Sequence, residues 1–426
     1  MRAGESLLLL DWAKDLDAKR AKAALPRPFR GLAWSNLAAQ SAEQISLAAV
    51  PIVAVLALGA GPGDIGALAT AQTLPFLLLS IPAGLLADRW SRRRVTVAAE
   101  VLRAFSLLAL LMAALAGQLS IPLLALLGFV GAAGTVGFSV AAPAWVPALV
   151  PREALAAANG RLELARSVAF AAGPALAGAL VAWAGAPWAF ALAAALSVLA
   201  VLMLLRLPEP PRATPTEHQV LVELRDGARL VWRHPLLRAV LLTSVAWNIA
   251  WFVLQAVYVP YALRRLGMDA SAVGVTLACL GAGMMAGAIL APRITHALPY
   301  GIAVILGPLC SVLAIGAMLA TLIWPSAMLA ALSFTIFGAG PMIWIITSTT
   351  LRQTLTPTPM LGRVSALFLT ANAGARPVGA ALGGAIGAGY GEGAALALAA
   401  ALFAVQLGVI LGSPMRHLKL LPPSVN

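Results

Sequence analysis

Charge is scarce in this chain. Asp, Glu, Lys and Arg make up 11 % of its 426 residues against 61 % hydrophobic ones, and the mean hydropathy is +0.90. A soluble fold has no core large enough to hide that much apolar surface, so the chain belongs in a bilayer. Cysteine and histidine are almost missing, at two and four residues. Cys279 and Cys310 fall inside apolar runs and read as packing residues, not as a disulfide or a metal pair. His218, His234, His296 and His417 fall in the polar segments, which excludes a buried histidine proton relay. No metal-ligand spacing, nucleophile–His–Asp arrangement or phosphate-binding glycine loop occurs, so the expectation is no enzyme, no metal and no cofactor. The net charge of +13 calls for nucleic acid only if a soluble basic face exists, and no segment offers one.

Long apolar runs are what the chain has instead. An apolar core ~30 Å thick takes about 20 helical residues to cross. Runs of that length number twelve, roughly 33–58, 65–87, 95–116, 120–146, 160–184, 187–206, 238–263, 271–292, 300–322, 325–350, 363–388 and 392–413. Only Trp324-Pro325-Ser326 divides the ninth from the tenth. If the N-terminus is cytoplasmic, the inner segments and inner helix ends take every Lys and Arg except Arg264, Arg265 and Arg376. The opposite orientation inverts that bias, so both termini are expected on the cytoplasmic side of an inner (plasma) membrane.

The polar segments divide the spans. Residues 1–30 mix Lys and Arg with Asp11, Asp15 and Asp17, and Leu7–Leu10 is too short for a secretory signal, so this is expected to be a cytoplasmic tail. Residues 31–206 make a first bundle of six spans and 237–413 a second, with a tail at 414–426. Between the bundles, 207–236 is the one long internal polar stretch. Val220, Leu224, Ala228 and Val231 fall near one face of its second part, and Arg225, Arg229 and Arg233 fall on another. That pattern predicts a helix lying in the inner interface. The bundles also echo one another at an offset of about 203: Gly160-Arg161 with Gly173-Pro174 matches Gly362-Arg363 with Arg376-Pro377.

Two motifs carry a family resemblance. Gly84-Leu-Leu-Ala-Asp88-Arg89-Trp-Ser-Arg92-Arg93-Arg94, between the second and third runs, resembles the G-x-x-x-D-R-x-G-R-R loop of major facilitator transporters, with Ser91 in place of a glycine. Gly173-Pro174-Ala-Leu-Ala177-Gly178 in the fifth run is similar to the G-P-x-x-G-G signature of exporters in the same superfamily. Residues 223–238, and 351–379 with Arg363 and Arg376, resemble the branch that holds enterobactin exporters and macrolide efflux proteins. The resemblance implies an all-α membrane fold of twelve helices in two six-helix pseudo-repeat bundles, which is the major facilitator fold. It also implies a gating role for Gly84, Asp88, Arg89, Arg92 and Arg93, and an antiporter role for Gly173, Pro174 and Gly178. Read on their own, the arginines also serve as inner-face anchors, and Gly173-Pro174 also serves as an ordinary kinked packing segment.

Charge inside a span is costly, roughly 3 kcal/mol near the bilayer centre on insertion scales, and such residues line a cavity or pair. Glu43 stands ten residues into the first span, about 15 Å deep at 1.5 Å per residue. Asn36, Gln40, Glu43 and Gln44 form a polar stripe there. A desolvated carboxyl suits reversible protonation, so Glu43 is a proton-coupling candidate, with Arg376 and Arg166 as possible ion-pair partners. The seventh span carries a second stripe, Trp247, Asn248, Trp251, Gln255 and Tyr258. The resemblance sets these two stripes face to face, with Trp344 of the tenth span, as candidate substrate contacts. Helix packing is the competing role for each aromatic. Glu100 and Arg103, three apart, read as a local helix pair near the inner end of the third span, and Asp64 and Asp269 read as helix caps.

The expected function is therefore secondary active export of a small amphiphilic molecule of drug or siderophore type, by proton antiport with alternating access. The expected partners are a small-molecule substrate, protons and the lipid bilayer, for a chain working as a monomer without nucleic acid. A lysophospholipid flippase or a nutrient importer on the same fold is the alternative, and a non-transporting receptor or scaffold is the alternative from another class.

Overall fold

The computed structural model describes residues 26–151, 154–209 and 220–422. Most of the expected N-terminal tail and part of the linker lie outside the described residues. The described chain forms thirteen α-helices and no strand. These are α1 (Arg27–Leu58), α2 (Pro62–Arg89), α3 (Arg92–Leu115), α4 (Ile121–Leu149), α5 (Leu155–Ala184), α6 (Ala186–Leu205), α7 (Val220–Arg233), α8 (Pro235–Arg264), α9 (Ala270–Ala297), α10 (Tyr300–Ala320), α11 (Ala327–Leu355), α12 (Leu361–Tyr390) and α13 (Glu392–Leu411). Helix is what lipid demands of such runs, because it satisfies every backbone N–H and C=O within the segment.

Eleven of these helices are long and apolar enough to cross a membrane. The twelfth, α12, has 30 residues, but its glycines, Arg363 and Arg376 dilute its hydropathy. It packs against α2 and α8 as the other spans pack on their neighbours. Several helices outrun the expected spans at their basic ends. For example, α1 starts at Arg27 and α3 at Arg92, because long basic side chains let a helix continue past the apolar boundary. Short turns are closed by capping. Ser91 accepts from the Arg94 amide at 3.2 Å and Asp269 from the Ala272 amide at 2.7 Å, while Asp64 accepts from the Gly61 amide at 2.9 Å. Ser91 is extended (φ −65°, ψ 133°), so this loop needs no glycine there and gains a cap from the serine.

The amphipathic helix α7 docks on α12. Asp226 pairs with Arg363 at 2.9 Å, and Val231 is fully buried. At Gly227 a Cβ would stand 2.8 Å from the Arg363 carbonyl oxygen, so only glycine lets the two backbones approach this closely. His234 follows α7 and leads into α8, with its Nδ1 buried and without a hydrogen-bond partner among the described residues. Burial pushes its pKa below the ordinary histidine value. The docked form therefore holds a neutral ring, and its stability is complete above the unfolded pKa and falls as the pH drops through that value. Across pH 8 to 5, the thermal midpoint of the His234→Gln protein is expected to fall less than that of the parent. Parallel curves would show that His234 makes no contribution.

The two halves meet along α5 with α9 and α2 with α12. The contacts are closest at the end carrying the 59–61, 185 and 265–269 turns, called the outer end after the orientation the basic residues predict. A Cβ on Gly274 would lie 2.5 Å from the Pro174 carbonyl oxygen, and one on Gly384 would lie 2.8 Å from Gly66 Cα. Arg264 Nη2 adds hydrogen bonds of 2.7 Å to the carbonyls of both Gly59 and Ala60, across the seam. Gly59 is the left-handed C-cap of α1 (φ 66°), so the guanidinium also meets the negative end of that helix. At the opposite end of α2 and α12, a Cβ placed on Gly84 or Gly362 would meet nothing within 4 Å. The closest backbone contacts that these glycines mark between the halves thus lie at the outer end. Arg264→Gln removes charge-assisted bonds worth about 1 kcal/mol at this exposed site. Maleimide labelling of an Ala60→Cys reporter is expected to speed up several-fold in that background. Equal rates would mean the bonds do not hold the outer end shut.

Candidate functional site

Four ionisable side chains sit at mid-depth among these helices: Glu43 on α1, Glu100 and Arg103 on α3, and Arg376 on α12. Arg103 stands eleven residues into α3, about 16 Å deep. It is therefore not at the inner helix end where the spans alone place it. Its side chain is 3 % exposed and that of Glu100 0 %. Arg103 Nη1 lies 3.0 Å from Glu100 Oε2 and donates to the Ala39 carbonyl at 3.0 Å. Ser197 on α6 donates to Glu100 Oε1 at 2.5 Å. The Arg103 guanidinium also lies over the Phe138 ring of α4, 5.5 Å from its centroid.

This pair sets the surroundings of Glu43. Arg103 Nη2 is 4.0 Å from Glu43 Oε2, but Glu100 already neutralises that arginine. Glu43 keeps 16 % of its side chain exposed, and neither of its oxygens has a hydrogen-bond partner among the described residues. It is a carboxyl close to charge yet not consumed by it. Removing one partner of a buried pair leaves the other uncompensated, at about 3–5 kcal/mol. Glu100→Gln is expected to lower the thermal midpoint of the detergent-solubilised protein sharply, and Ser197→Ala to lower it by about 1 kcal/mol equivalent. A Glu100→Gln midpoint equal to that of the parent would refute the structural role of the pair.

Arg166 does not serve Glu43 as an ion-pair partner. It is bound to Glu163 one turn away, with its Nε 3.1 and 3.0 Å from the two carboxylate oxygens. Arg376 makes no ion pair among the described residues, although its charge acts on Glu43 across the space between the halves. Its guanidinium lies between Phe76 of α2 and Phe252 of α8, at 5.3 and 6.0 Å. Arg376 Nε donates to Asn248 Oδ1 at 3.4 Å. Asn248 is fixed in turn by Nδ2 donating to the Ser244 carbonyl at 2.9 Å, and Ser244 Oγ donates to Asn372 Oδ1 at 2.7 Å.

The two polar stripes fare differently. Asn36 turns to the Leu162 carbonyl of α5 at 3.5 Å, and Gln44 is buried beside Gly173, where a Cβ would lie 2.5 Å from Gln44 Cβ. Gln40 and Gln255 are half-buried. Trp251 is enclosed by Trp247, stacked at 5.4 Å, and by the edges of Phe334 and Phe337. Tyr258 is fully buried, hydrogen-bonded to Thr276 and packed on Phe334, with no surface left for a ligand in this conformation. Trp344 is half-buried and its indole nitrogen has no partner among the described residues. Gly173, Pro174 and Gly178 sit in a helix wedged between α1 and α9, so the motif joins the halves. Arg93 donates to the Leu205 carbonyl, which ties α3 to α6. The side chains of Asp88 and Arg89 lie outside the described residues. The central roles of Glu100, Ser197, Phe76 and Asn372 beside Arg103 are not legible along the chain. Their only signal is a charge pair too deep in its span to be a surface one.

The sequence profile of the Major Facilitator Superfamily matches residues 32–380. The chain belongs to that superfamily and is a multi-pass membrane transporter within it. Proteins named enterobactin exporter EntS are its relatives. That of Citrobacter koseri is 31 % identical over 303 residues, covering 70 % of this chain and 71 % of the relative. That of Shigella boydii is 31 % identical over 301 residues, covering 70 % and 71 %. Solved structures share the fold at low identity. A bacterial homologue of the iron transporter ferroportin in its inward-facing state has a TM-score of 0.72 at 16 % identity, covering 91 % of this chain and 98 % of that one. The nucleoside transporter NupG has a TM-score of 0.73 at 13 % identity, covering 91 % and 98 %.

Proposed function

We propose that this transporter exports a small amphiphilic molecule, of drug or siderophore type, across the inner membrane, and that inward movement of protons drives it by alternating access. The relatives named as exporters support the direction. Glu43 carries the reading of the energy source. It is the central carboxyl whose nearest cation is already neutralised by another carboxylate, and it retains 16 % of its side-chain surface exposed. An ionised Glu43 on α1 is drawn to Arg376 on α12, and a protonated one is not. Protonation therefore changes the attraction between the halves at the level about which they must rock. Each proton entering releases about 2.3 kcal/mol per 100 mV, enough to drive a solute uphill.

The test uses proteoliposomes loaded with enterobactin or a fluorescent drug. Glu43→Gln is expected to abolish export driven by a pH gradient while leaving solute exchange at equal concentrations intact. Gradient-driven export at the parental rate would exclude Glu43 as the proton carrier. Loss of both activities in well-folded protein would assign it to solute binding instead.

A further inference from the structure

Arg376 stands apart from the other arginines at this level of the molecule. Glu100 occupies Arg103, Glu163 occupies Arg166, and Asp226 occupies Arg363 at the inner end of the same helix. Arg376 has no carboxylate within ion-pair distance among the described residues. It lies fifteen residues into the thirty of α12, about 22 Å from either end. Phe76 and Phe252 cover the faces of its guanidinium, and Asn248 takes Nε. Its two terminal nitrogens have no partner among the described residues, yet they are not buried, unlike the unpartnered Nε and Nη2 of Arg103. They lie where the halves meet, since Phe76 belongs to one half and Phe252 to the other. Two aromatic rings and an amide relay through Ser244 and Asn372 hold this fork in one orientation, and none of the described residues uses it.

Such a fork seeks an acceptor, and charge balance decides which kind. With both glutamates ionised, Glu43, Glu100, Arg103 and Arg376 sum to zero. The charged groups acting on Glu43 are Arg103, Glu100, Arg376 and Arg166, and Glu163 neutralises the last of these. An anionic cargo would bind Arg376 best when Glu43 is protonated, so cargo and proton would travel together, the reverse of antiport. A cationic cargo would be repelled by Arg376. We propose that Arg376 anchors the cargo through a neutral acceptor, an amide-, ester- or ketone-type carbonyl on an aromatic or otherwise apolar body. The inference rests on the reading of Glu43 as the carrier of an antiported proton.

Three probes matched in length that differ in their head group test this: dansylglycinamide (neutral), dansylglycine (anionic) and dansylethylenediamine (cationic). Binding to the purified full-length protein is read by energy transfer from its tryptophans at pH 7.5. The neutral amide is expected to bind about tenfold tighter than the amine, the worth of one charge-assisted hydrogen bond. Arg376→Gln is expected to erase that advantage, weakening the amide and, with the repulsion gone, strengthening the amine. Arg376→Lys keeps the cation between the rings and should retain part of the advantage, which separates a lost donor from a collapsed cavity. Tightest binding by dansylglycine, strengthening as the pH falls, would overturn the proposal. So would equal affinities for all three probes, or no binding by any of them to folded protein. Transport of dansylglycinamide into proteoliposomes separates the two readings. Binding as expected but transport indifferent to a pH gradient removes the antiport reading alone. Gradient-driven transport with unaltered amide affinity in Arg376→Gln removes the anchor alone.

Discussion

An arginine cannot remain in the middle of an apolar bundle without a counter-charge or an equivalent set of polar and aromatic supports, and that constraint organises the centre of this molecule. Arg103 is buried on α3, and Glu100 one turn away neutralises it, itself held by Ser197 from α6. Because the arginine is satisfied within its own half, Glu43 can approach it to 4.0 Å without being locked to it. The same logic leaves Arg376 on the opposite half as a cation supported by aromatic faces and amides instead of a carboxylate. One half thus offers a carboxyl with a choice of protonation state, and the other a fixed positive charge. The proton coupling proposed above would draw on that asymmetry.

The closest approach of the helix backbones occurs elsewhere, at glycines. The α5–α9 and α2–α12 seams close at the outer end where Gly178 meets Gly274 and Gly66 meets Gly384, with Arg264 bound to the carbonyls that end α1. Backbone contacts without side chains can roll or part with little repacking, which interdigitated leucines would resist. The Gly173–Gly178 motif in this light serves packing first, since it places α5 against α1 and α9 together. Any influence on proton leakage would act through that closeness of fit.

Much of the architecture was legible from the pattern of residues. Runs of about 20 apolar residues become helices because lipid offers the backbone no other partner. Asp64 and Asp269 cap helices as their positions suggest, and 220–233 forms the amphipathic helix its arginine periodicity predicts. The centre was less legible. Glu100 and Arg103 satisfy a local i, i+3 spacing, so nothing in the sequence pointed to Ser197, 97 positions away. Trp251 and Tyr258 share a face with Asn248, yet they enter the core of their own half because Phe334 and Phe337 of α11 approach from that side. Periodicity identifies a face of a helix but not the neighbour that covers it.

The sequence by itself determined that this chain spans a membrane in many helices, that an interfacial helix interrupts the series, and that Glu43 lies near mid-depth. These are consequences of hydropathy and of a fixed rise per residue, which act locally along the chain. Tertiary structure alone decided that Glu43 stands 4.0 Å from Arg103, that Asp226 takes Arg363, and that Arg376 lies between Phe76 of one half and Phe252 of the other. Coulomb attraction and close packing depend on distances between helices, and no spacing along one helix encodes those distances.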